Sequence, residues 1–349
     1  MSVGYRAVQW NRDKLVYDGV LLAGVALFIG AFMTVGAWIN PPASPAEWTF
    51  LRVRAFGVCA FTMLTLILMI GPLARLDRRF LPLLYNRRHF GVAAFAVASV
   101  HAISVVQYYS QQGLLDHMAS QLVTIEAYTA LATFPFQALG IVSLAVLFLM
   151  ASISHDYWLN FLTPRVWKTL HMTLYIAYGL LVLHVALGVM QANHNPIIPL
   201  LLGAAFCSVA ALHILAGWRE RAADRGNAPD GEGWLTVGPA HLIPDKRARI
   251  IAAPGGERIA VFRDGDRFGA LTNLCAHQHG PLGEGRIVDG CIVCPWHGYQ
   301  YQLEDGCAPA PFTERLATYR LRLRGDVIEV DPHPLPPGTR AAISISGTL

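Results

Sequence analysis

Two short stretches near the C-terminal end pair a thiol with an imidazole: Cys275-Ala276-His277 and, after sixteen intervening residues, Cys294-Pro295-Trp296-His297-Gly298. Each loop offers one soft thiolate and one ring nitrogen. A [2Fe-2S] centre in which two thiolates hold one iron and two imidazoles the other uses that set, and neutral rings in place of thiolates reduce its negative charge and raise its potential. The same four side chains could hold a tetrahedral zinc ion, but the spacing within each pair is not the usual zinc spacing. His279, beside the first pair, reads as a contact to a ligand or to solvent.

A second group of histidines, His101, His171, His184 and His213, lies in long apolar stretches. An ionisable side chain is costly in hydrocarbon and by default faces a partner, a cofactor or a water-filled cavity. Imidazole is an axial ligand of heme iron, and a bis-histidine b-type heme takes one from each of two facing helices at similar depth. At about 1.5 Å per residue, His101 lies roughly 20 Å beyond Arg88 and His184 roughly 26 Å beyond Trp167, so these two can share a heme. His171, roughly 6 Å past Trp167, and His213, roughly 9 Å before Arg219, lie at an inner level where a second heme is geometrically open.

The elements that must hold these histidines are membrane helices. With 54% hydrophobic and 14% charged residues in 349, the chain is far from the soluble average of about 25% charged. Six stretches are long enough to cross a hydrocarbon core of about 30 Å: approximately Leu15–Ile39, Ala55–Leu73, Phe90–Tyr109, Phe134–Ile153, Trp167–Met190 and Ile197–Trp218. A buried soluble helical core would need charged faces that these stretches lack. Small residues Ala93, Ala94, Ala96, Ala98, Gly179, Ala186 and Gly188 would let a flat macrocycle lie against the helices, as they would plain helix packing.

Basic residues Arg6, Arg12 and Lys14, then Arg75, Arg78, Arg79, Arg87 and Arg88, then Arg165 and Lys168, then Arg219, Arg221 and Arg225 fall on one side; only Arg52 and Arg54 fall on the other. The positive-inside rule then places both termini and the C-terminal domain in the cytoplasm of a multi-pass protein, here expected in a bacterial inner membrane. The polar N-terminus shows neither a twin-arginine pair nor a cleavage site, so the first helix is expected to remain as an anchor. The net charge of +4 is explained by topology, and nucleic acid is not expected as a partner. Nothing in the six cysteines requires an oxidising compartment.

After Trp218, a charged Gly/Ala/Asp-rich segment with Pro229 reads as a linker. From Trp234, runs such as Ile259-Ala260-Val261-Phe262 and Val327-Ile328-Glu329-Val330, with Asp-Gly and Gly-Gly turns, read as a small all-β domain. The expected organisation is a cytoplasmic N-terminus (1–14), a six-helix bundle (15–218), a linker (219–233), the β domain (234–334) and a tail (335–349).

The C-terminal part, over about residues 232–332, resembles the Rieske family. Its flanks agree as well as its ligand pairs: Asn273, the Gly280-Pro281-Leu282 turn, and Trp296, Gly298 and Tyr301. Where respiratory-chain members carry an extra disulfide across the two loops, this chain has Gly280 and Trp296; it is similar instead to Rieske ferredoxins and oxygenase Rieske domains. Residues 15–218 resemble the ferric reductase-like transmembrane domain. The resemblance is carried by Gly71-Pro72-Leu73, Arg87-Arg88-His89-Phe90-Gly91, His101, Trp167-Lys168-Thr169-Leu170-His171, Tyr175 and His184. That family passes electrons across a membrane through b-type heme, and the thirteen-residue interval from His171 to His184 matches its fifth-helix pair. The resemblance implies one or two hemes on His101, His184 and His171. His89 stands twelve residues before His101, about 120 degrees off its face, so it would need a kink or a different partner to serve.

The expected fold is thus a membrane all-α six-helix bundle followed by a small all-β Rieske domain. The expected function is electron transfer between a cytoplasmic reductase or ferredoxin, the cluster, the membrane heme and an unknown acceptor at the far side. Two alternatives stay open: a redox-sensing or assembly subunit without turnover, and a Rieske oxygenase, which would need a further iron on two histidines and a carboxylate. No Walker loop, dinucleotide fingerprint or nucleophilic triad is evident, which is why a separate reductase is expected. The acidic, partly amphipathic segment Gln111–Thr133, with Asp116 and Glu126, is the expected docking surface for the acceptor.

Overall fold

The computed structural model describes residues 12–84, 86–154, 164–192, 197–224, 228–277, 280–295 and 298–345. His297, Trp296 and His279 lie outside the described residues. The chain divides into two compact units, Arg12–Ala74 with Asn86–Ile214, and Arg75–Tyr85 with Leu215–Leu349.

The helices are α1 (Arg12–Ile39), α2 (Pro45–Leu76), α3 (Leu81–Leu84), α4 (Arg87–Gln111), α5 (Leu115–Val123), α6 (Phe136–Ser152), α7 (Pro164–Ala192) and α8 (Ile197–Asp224). Among the described residues, α1, α2, α4, α7 and α8 contain stretches long and apolar enough to cross a membrane, and α6 is a shorter apolar helix of 17 residues. Together they make an integral, multi-pass membrane protein.

Two helix boundaries differ most from the sequence expectation. Helix α2 starts ten residues before Ala55, because Ser44-Pro45-Ala46-Glu47 forms a capping box. The Glu47 amide donates to Ser44 Oγ at 3.3 Å, and Glu47 accepts from the Ala43 amide at 2.9 Å. Proline at the first helical position is pre-set for the turn. Helix α8 continues to Asp224, so the segment 219–224 is helical rather than linker.

Buried faces in the helical unit are apolar with a few satisfied polar atoms. Cys59, Met63, Ile67, Ala94 and Val97 form one packed cluster and Leu64, Leu68, Leu147, Tyr178 and Val209 another. Ser143 Oγ donates to the carbonyls of Leu139 (2.8 Å) and Ala177 (3.2 Å), joining α6 to α7. The Thr65 and Tyr178 hydroxyls meet at 3.2 Å between α2 and α7. Without water at that depth, such polar atoms must be partnered within the protein.

The β part comprises β1 (Leu235–Pro239), β2 (Ala248–Ala252), β3 (Arg258–Asp264), β4 (Arg267–Thr272), β5 (Arg286–Val288), β6 (Cys291–Val293), β7 (Gln300–Gln302), β8 (Thr318–Tyr319), β9 (Leu321–Arg324), β10 (Val327–Val330) and β11 (Ile343–Ser344). They form the antiparallel sheets β1-β10-β9, β11-β4-β3-β2 with β8 on β4, and β5-β6-β7. Asp289-Gly290, both at positive φ, makes the tight turn from β5 to β6, the backbone such two-residue hairpins require. The last strand belongs to the fold: β11 pairs with β4 and Ile345 is buried.

One core gathers Leu235, Ile259, Phe268, Ile328 and Val330. The other contains Phe262, Leu271, Leu282, Ile292 and Tyr301 together with Cys275 and Cys294.

Candidate metal centres

In the β unit, β4 leads into the loop of Cys275 and His277, and β6 into the loop of Cys294. The first loop is closed by the Cys275 amide donating to the Gly280 carbonyl (2.9 Å), while Asn273 Oδ1 accepts from the Gly283 amide (2.7 Å). In the second, the Cys294 amide donates to Tyr299 (2.8 Å) and the Gly298 amide donates back to Cys294 (2.9 Å). Gly298 has φ +74°, a left-handed conformation that glycine adopts without steric cost, which explains a glycine at the end of this motif.

Cys275 and Cys294 are each 1% exposed, whereas His277 is half-buried. Leu274, beside the ligand pair, is an exposed large apolar side chain. The His277 ring stacks on Tyr299 with centroids 4.8 Å apart and planes within 9°. Tyr301, fully buried, brings its hydroxyl to 3.3 Å from Cys275 Sγ. Burial together with the Cys275 thiol pushes the Tyr301 phenol far above its ordinary value, so it remains a proton donor. Sequence analysis placed Tyr301 among the flanks without a role; its hydroxyl at the sulfur supplies one. Buried paired thiols, an imidazole in the same loop and a donor at the sulfur fit a [2Fe-2S] cluster.

In the helical unit, His101 on α4 and His184 on α7 come together with ring centroids 6.4 Å apart and planes at 88°. Two metal–nitrogen bonds of about 2 Å each, plus the distance from nitrogen to ring centre on either side, add up to about 6 Å. The same device orients both rings. His101 Nδ1 donates to the Val53 carbonyl at 2.9 Å and His184 Nδ1 to the Phe136 carbonyl at 2.8 Å. Four residues after each acceptor stands a glycine, Gly57 on α2 and Gly140 on α6, and a Cβ there would lie 2.9 Å from the His101 or His184 ring. Each ring therefore sits in a notch that any larger residue would fill. A carbonyl can only accept, so the proton is fixed on Nδ1 and Nε2 keeps a lone pair for iron. These residues fit a bis-histidine heme.

The inner histidines are arranged differently. His213 has Nδ1 at 2.9 Å from the Val209 carbonyl and Nε2 at 3.0 Å from the Tyr175 hydroxyl, so both nitrogens are engaged. In this arrangement His213 links its own helix α8 to Tyr175 of α7. His171 is on α7, thirteen residues before His184. His89 Nδ1 lies 2.7 Å from Asp18 Oδ2 on α1, and the Asn86 amide donates to the other Asp18 oxygen at 2.6 Å.

Sequence analysis counted Arg52 only as a charge flanking the second helix. Lying within α2 rather than before it, Arg52 donates from Nε to Ser104 Oγ at 3.0 Å and from Nη2 to Gln107 Oε1 on α4. The capping box at Ser44 was the signal that would have put it inside the helix. The expected docking segment contains α5 and a 3-10 turn at Ile125–Thr129, with Asp116 and Glu126 both exposed.

Comparison with known proteins follows the same division. Residues 233–320 match the Rieske [2Fe-2S] domain, and residues 56–182 match the ferric reductase like transmembrane component. The chain is 40% identical over 100 residues to the anthranilate 1,2-dioxygenase ferredoxin subunit of Burkholderia cepacia, covering 28% of this chain and 91% of that protein. It is 29% identical over 89 residues to cholesterol 7-desaturase nvd 1 of Ciona intestinalis, where the match spans 25% of this chain and 19% of that protein. Among solved structures, a complex of reduced oxygenase and oxidized ferredoxin in carbazole 1,9a-dioxygenase includes a chain that is 26% identical with a TM-score of 0.28, covering 30% of this chain and 99% of that one. A Rieske domain binds a [2Fe-2S] cluster and ferric reductase-like domains typically bind heme b, which gives this protein an electron-transfer role. The chain belongs to the Rieske [2Fe-2S] proteins, with a ferric reductase-like transmembrane domain on the N-terminal side of its Rieske domain.

Proposed function

We propose that this protein carries electrons across a bacterial inner membrane, between a cytoplasmic reductase or ferredoxin and an acceptor at the far side. When bound, the cluster and the heme supply one-electron carriers. Cys275, His277, Cys294 and His297 are assigned to the cluster, His101 and His184 to a heme, and His171 to an inner heme where one is present. The chain's own work is to fix the protonation and angle of each ligand before any electron moves. Val53 and Phe136 hold Nδ1–H on the two intramembrane rings, and Gly57 and Gly140 make room for them. Tyr301 keeps a hydroxyl on Cys275, where it favours the more negative, reduced cluster.

The observation that carries this reading is the pair of carbonyl-anchored imidazoles 6.4 Å apart within the membrane helices. A sensor or assembly subunit would hold the same cofactors without electron flux to the far side, so flux is what separates the two readings. The test is a reduced-minus-oxidised spectrum of the detergent-purified protein with a pyridine hemochrome assay, iron and sulfide analysis, and sealed vesicles loaded with a redox dye. Heme b, two irons and two sulfides per chain, and dye reduction across the bilayer are expected. An intact cluster with no heme, or heme with no transmembrane flux, would overturn it.

A further inference from the structure

The stretch between α4 and α6 carries apolar side chains on its surface. Gly113, at φ +67°, follows α4 and turns the chain off its axis into α5. There Leu115, Met118, Ala119 and Leu122 fall at i, i+3, i+4 and i+7 on one helical face, with Asp116, His117, Ser120 and Gln121 on the other. In the 3-10 turn that follows, the three-residue period places Ile125 and Tyr128 on one side. Val123, Ile125 and Leu131 are 80%, 79% and 67% exposed. The backbone that carries them is held in place. The Tyr128 hydroxyl donates to the Leu122 carbonyl at 2.9 Å, and its ring meets that of Phe134 edge-on at 5.3 Å. Gln191 of α7 donates to the carbonyls of Leu131 (2.8 Å) and Phe134 (3.0 Å). A fixed, contiguous apolar surface of this kind marks contact with a protein or a membrane.

The surroundings of the stretch favour the membrane. Leu115 lines one apolar surface with Ile103 and Val106, which are exposed on the spanning helix α4, so the lipid-facing side of that helix runs on into α5. Helix α6 has 17 residues, about 26 Å of helix, against a hydrocarbon core of about 30 Å. Apolar residues just before its start supply the missing depth. Tyr128 is of the amphipathic aromatic type enriched at membrane–water interfaces. Because Gln111–Thr133 contains no Lys or Arg, attraction to anionic headgroups has no part, and burial of apolar surface is what holds such a helix to lipid.

We propose that α5 and the 3-10 turn lie flat in the lipid–water interface of the leaflet where α4 ends, with Leu115, Val123, Ile125 and Leu131 at the acyl boundary and Asp116 and Glu126 in the water. The partner of this surface is a lipid monolayer, whatever the charge of its headgroups. The proposal stands apart from the electron-transfer reading. Where that reading holds, only the polar face of the segment is left for a water-soluble acceptor.

The test uses the full-length protein in phosphatidylcholine nanodiscs. Bimane is attached to Ile125→Cys or to Glu126→Cys, each combined with Cys207→Ser because Cys207 is exposed, and Cys207→Ser alone gives the background. Quenching by doxyl-labelled lipid should be severalfold stronger at position 125 than at position 126, and quenching by iodide should show the reverse order. Phosphatidylglycerol added to the nanodiscs should change neither. Iodide reaching both positions alike with no quenching from lipid, the result for a patch that awaits a protein, would overturn the proposal. The unsubstituted protein gives a second reading that no variant can disturb. A phosphatidylcholine with a photoreactive diazirine in its acyl chain should leave adducts on Val123, Ile125 or Leu131 by mass spectrometry, and adducts confined to the spanning helices would overturn the proposal as well.

Discussion

In the β unit the proposed ligands come from two loops of one small domain, and the Cys275 and Cys294 sulfurs are packed into its apolar core with Phe262, Leu271 and Tyr301. In the helical unit the proposed ligands stand on α4 and α7, far apart in the chain, and each is aimed by a third helix: α2 through Val53 for His101, and α6 through Phe136 for His184. A cluster site of the first kind depends on local loop geometry and survives changes elsewhere. A heme site of the second kind depends on four helices keeping register, so it fails when any one of them moves.

The largest effect separating the two regions is expected from ligand deletion. His101→Ala or His184→Ala should abolish the b-type spectrum while leaving the cluster's electron paramagnetic resonance signal at wild-type intensity. Loss of both signals together would show that the two regions do not hold their metals independently. Next comes the notch: Gly140→Val places side-chain atoms where a Cβ alone already lies 2.9 Å from the His184 ring. Heme per chain should fall severalfold, with sulfide content unchanged.

A subtler change is expected at the cluster. Tyr301→Phe removes the hydroxyl from Cys275 Sγ and withdraws about 1 kcal/mol of preference for the reduced state, lowering the midpoint potential by on the order of 40 mV for one electron. A redox titration followed by electron paramagnetic resonance reads it; the heme potential should not move.

One acid-sensitive contact lies in the β unit. Burial raises the pKa of Asp264, but bonds from Lys246 and Arg267 outweigh it and hold the carboxyl below its ordinary value. A carboxyl depressed in the folded state contributes stability that is complete above its unfolded pKa of about 3.9 and is lost as pH falls through the folded value. Asp264→Asn should cost about 1–2 kcal/mol near neutral pH. It should also flatten the acid dependence of cluster bleaching on heating, with heme melting unaltered.

The smallest effect is expected at the segment Gln111–Thr133, where Asp116→Lys with Glu126→Lys should change transfer to a charged external acceptor severalfold at low ionic strength. Added salt should erase the difference, because exposed charges are screened within about 10 Å at 0.1 M.

Much of this was legible in the sequence. Six apolar stretches announced the bundle because a membrane helix must satisfy its backbone internally and present apolar side chains along its whole length. The cysteine–histidine pairs announced the cluster because its ligands are adjacent in the chain, and Asp289-Gly290 announced a hairpin because only certain residues tolerate that turn. The start of α2 was written in Ser44-Pro45-Ala46-Glu47, but Arg52 and Arg54 looked like flanking charges and masked it.

By itself, then, the sequence determined the two solvents of this chain, its class of cofactor in each part and the histidines available in the membrane. Only the tertiary structure decided how each of those histidines spends its ring nitrogens. His101 and His184 each spend Nδ1 on a carbonyl and keep Nε2, while His213 spends both nitrogens on Val209 and Tyr175. That difference lies in the position of neighbouring backbones and one hydroxyl, brought there by helix packing, and no local pattern around a histidine encodes it.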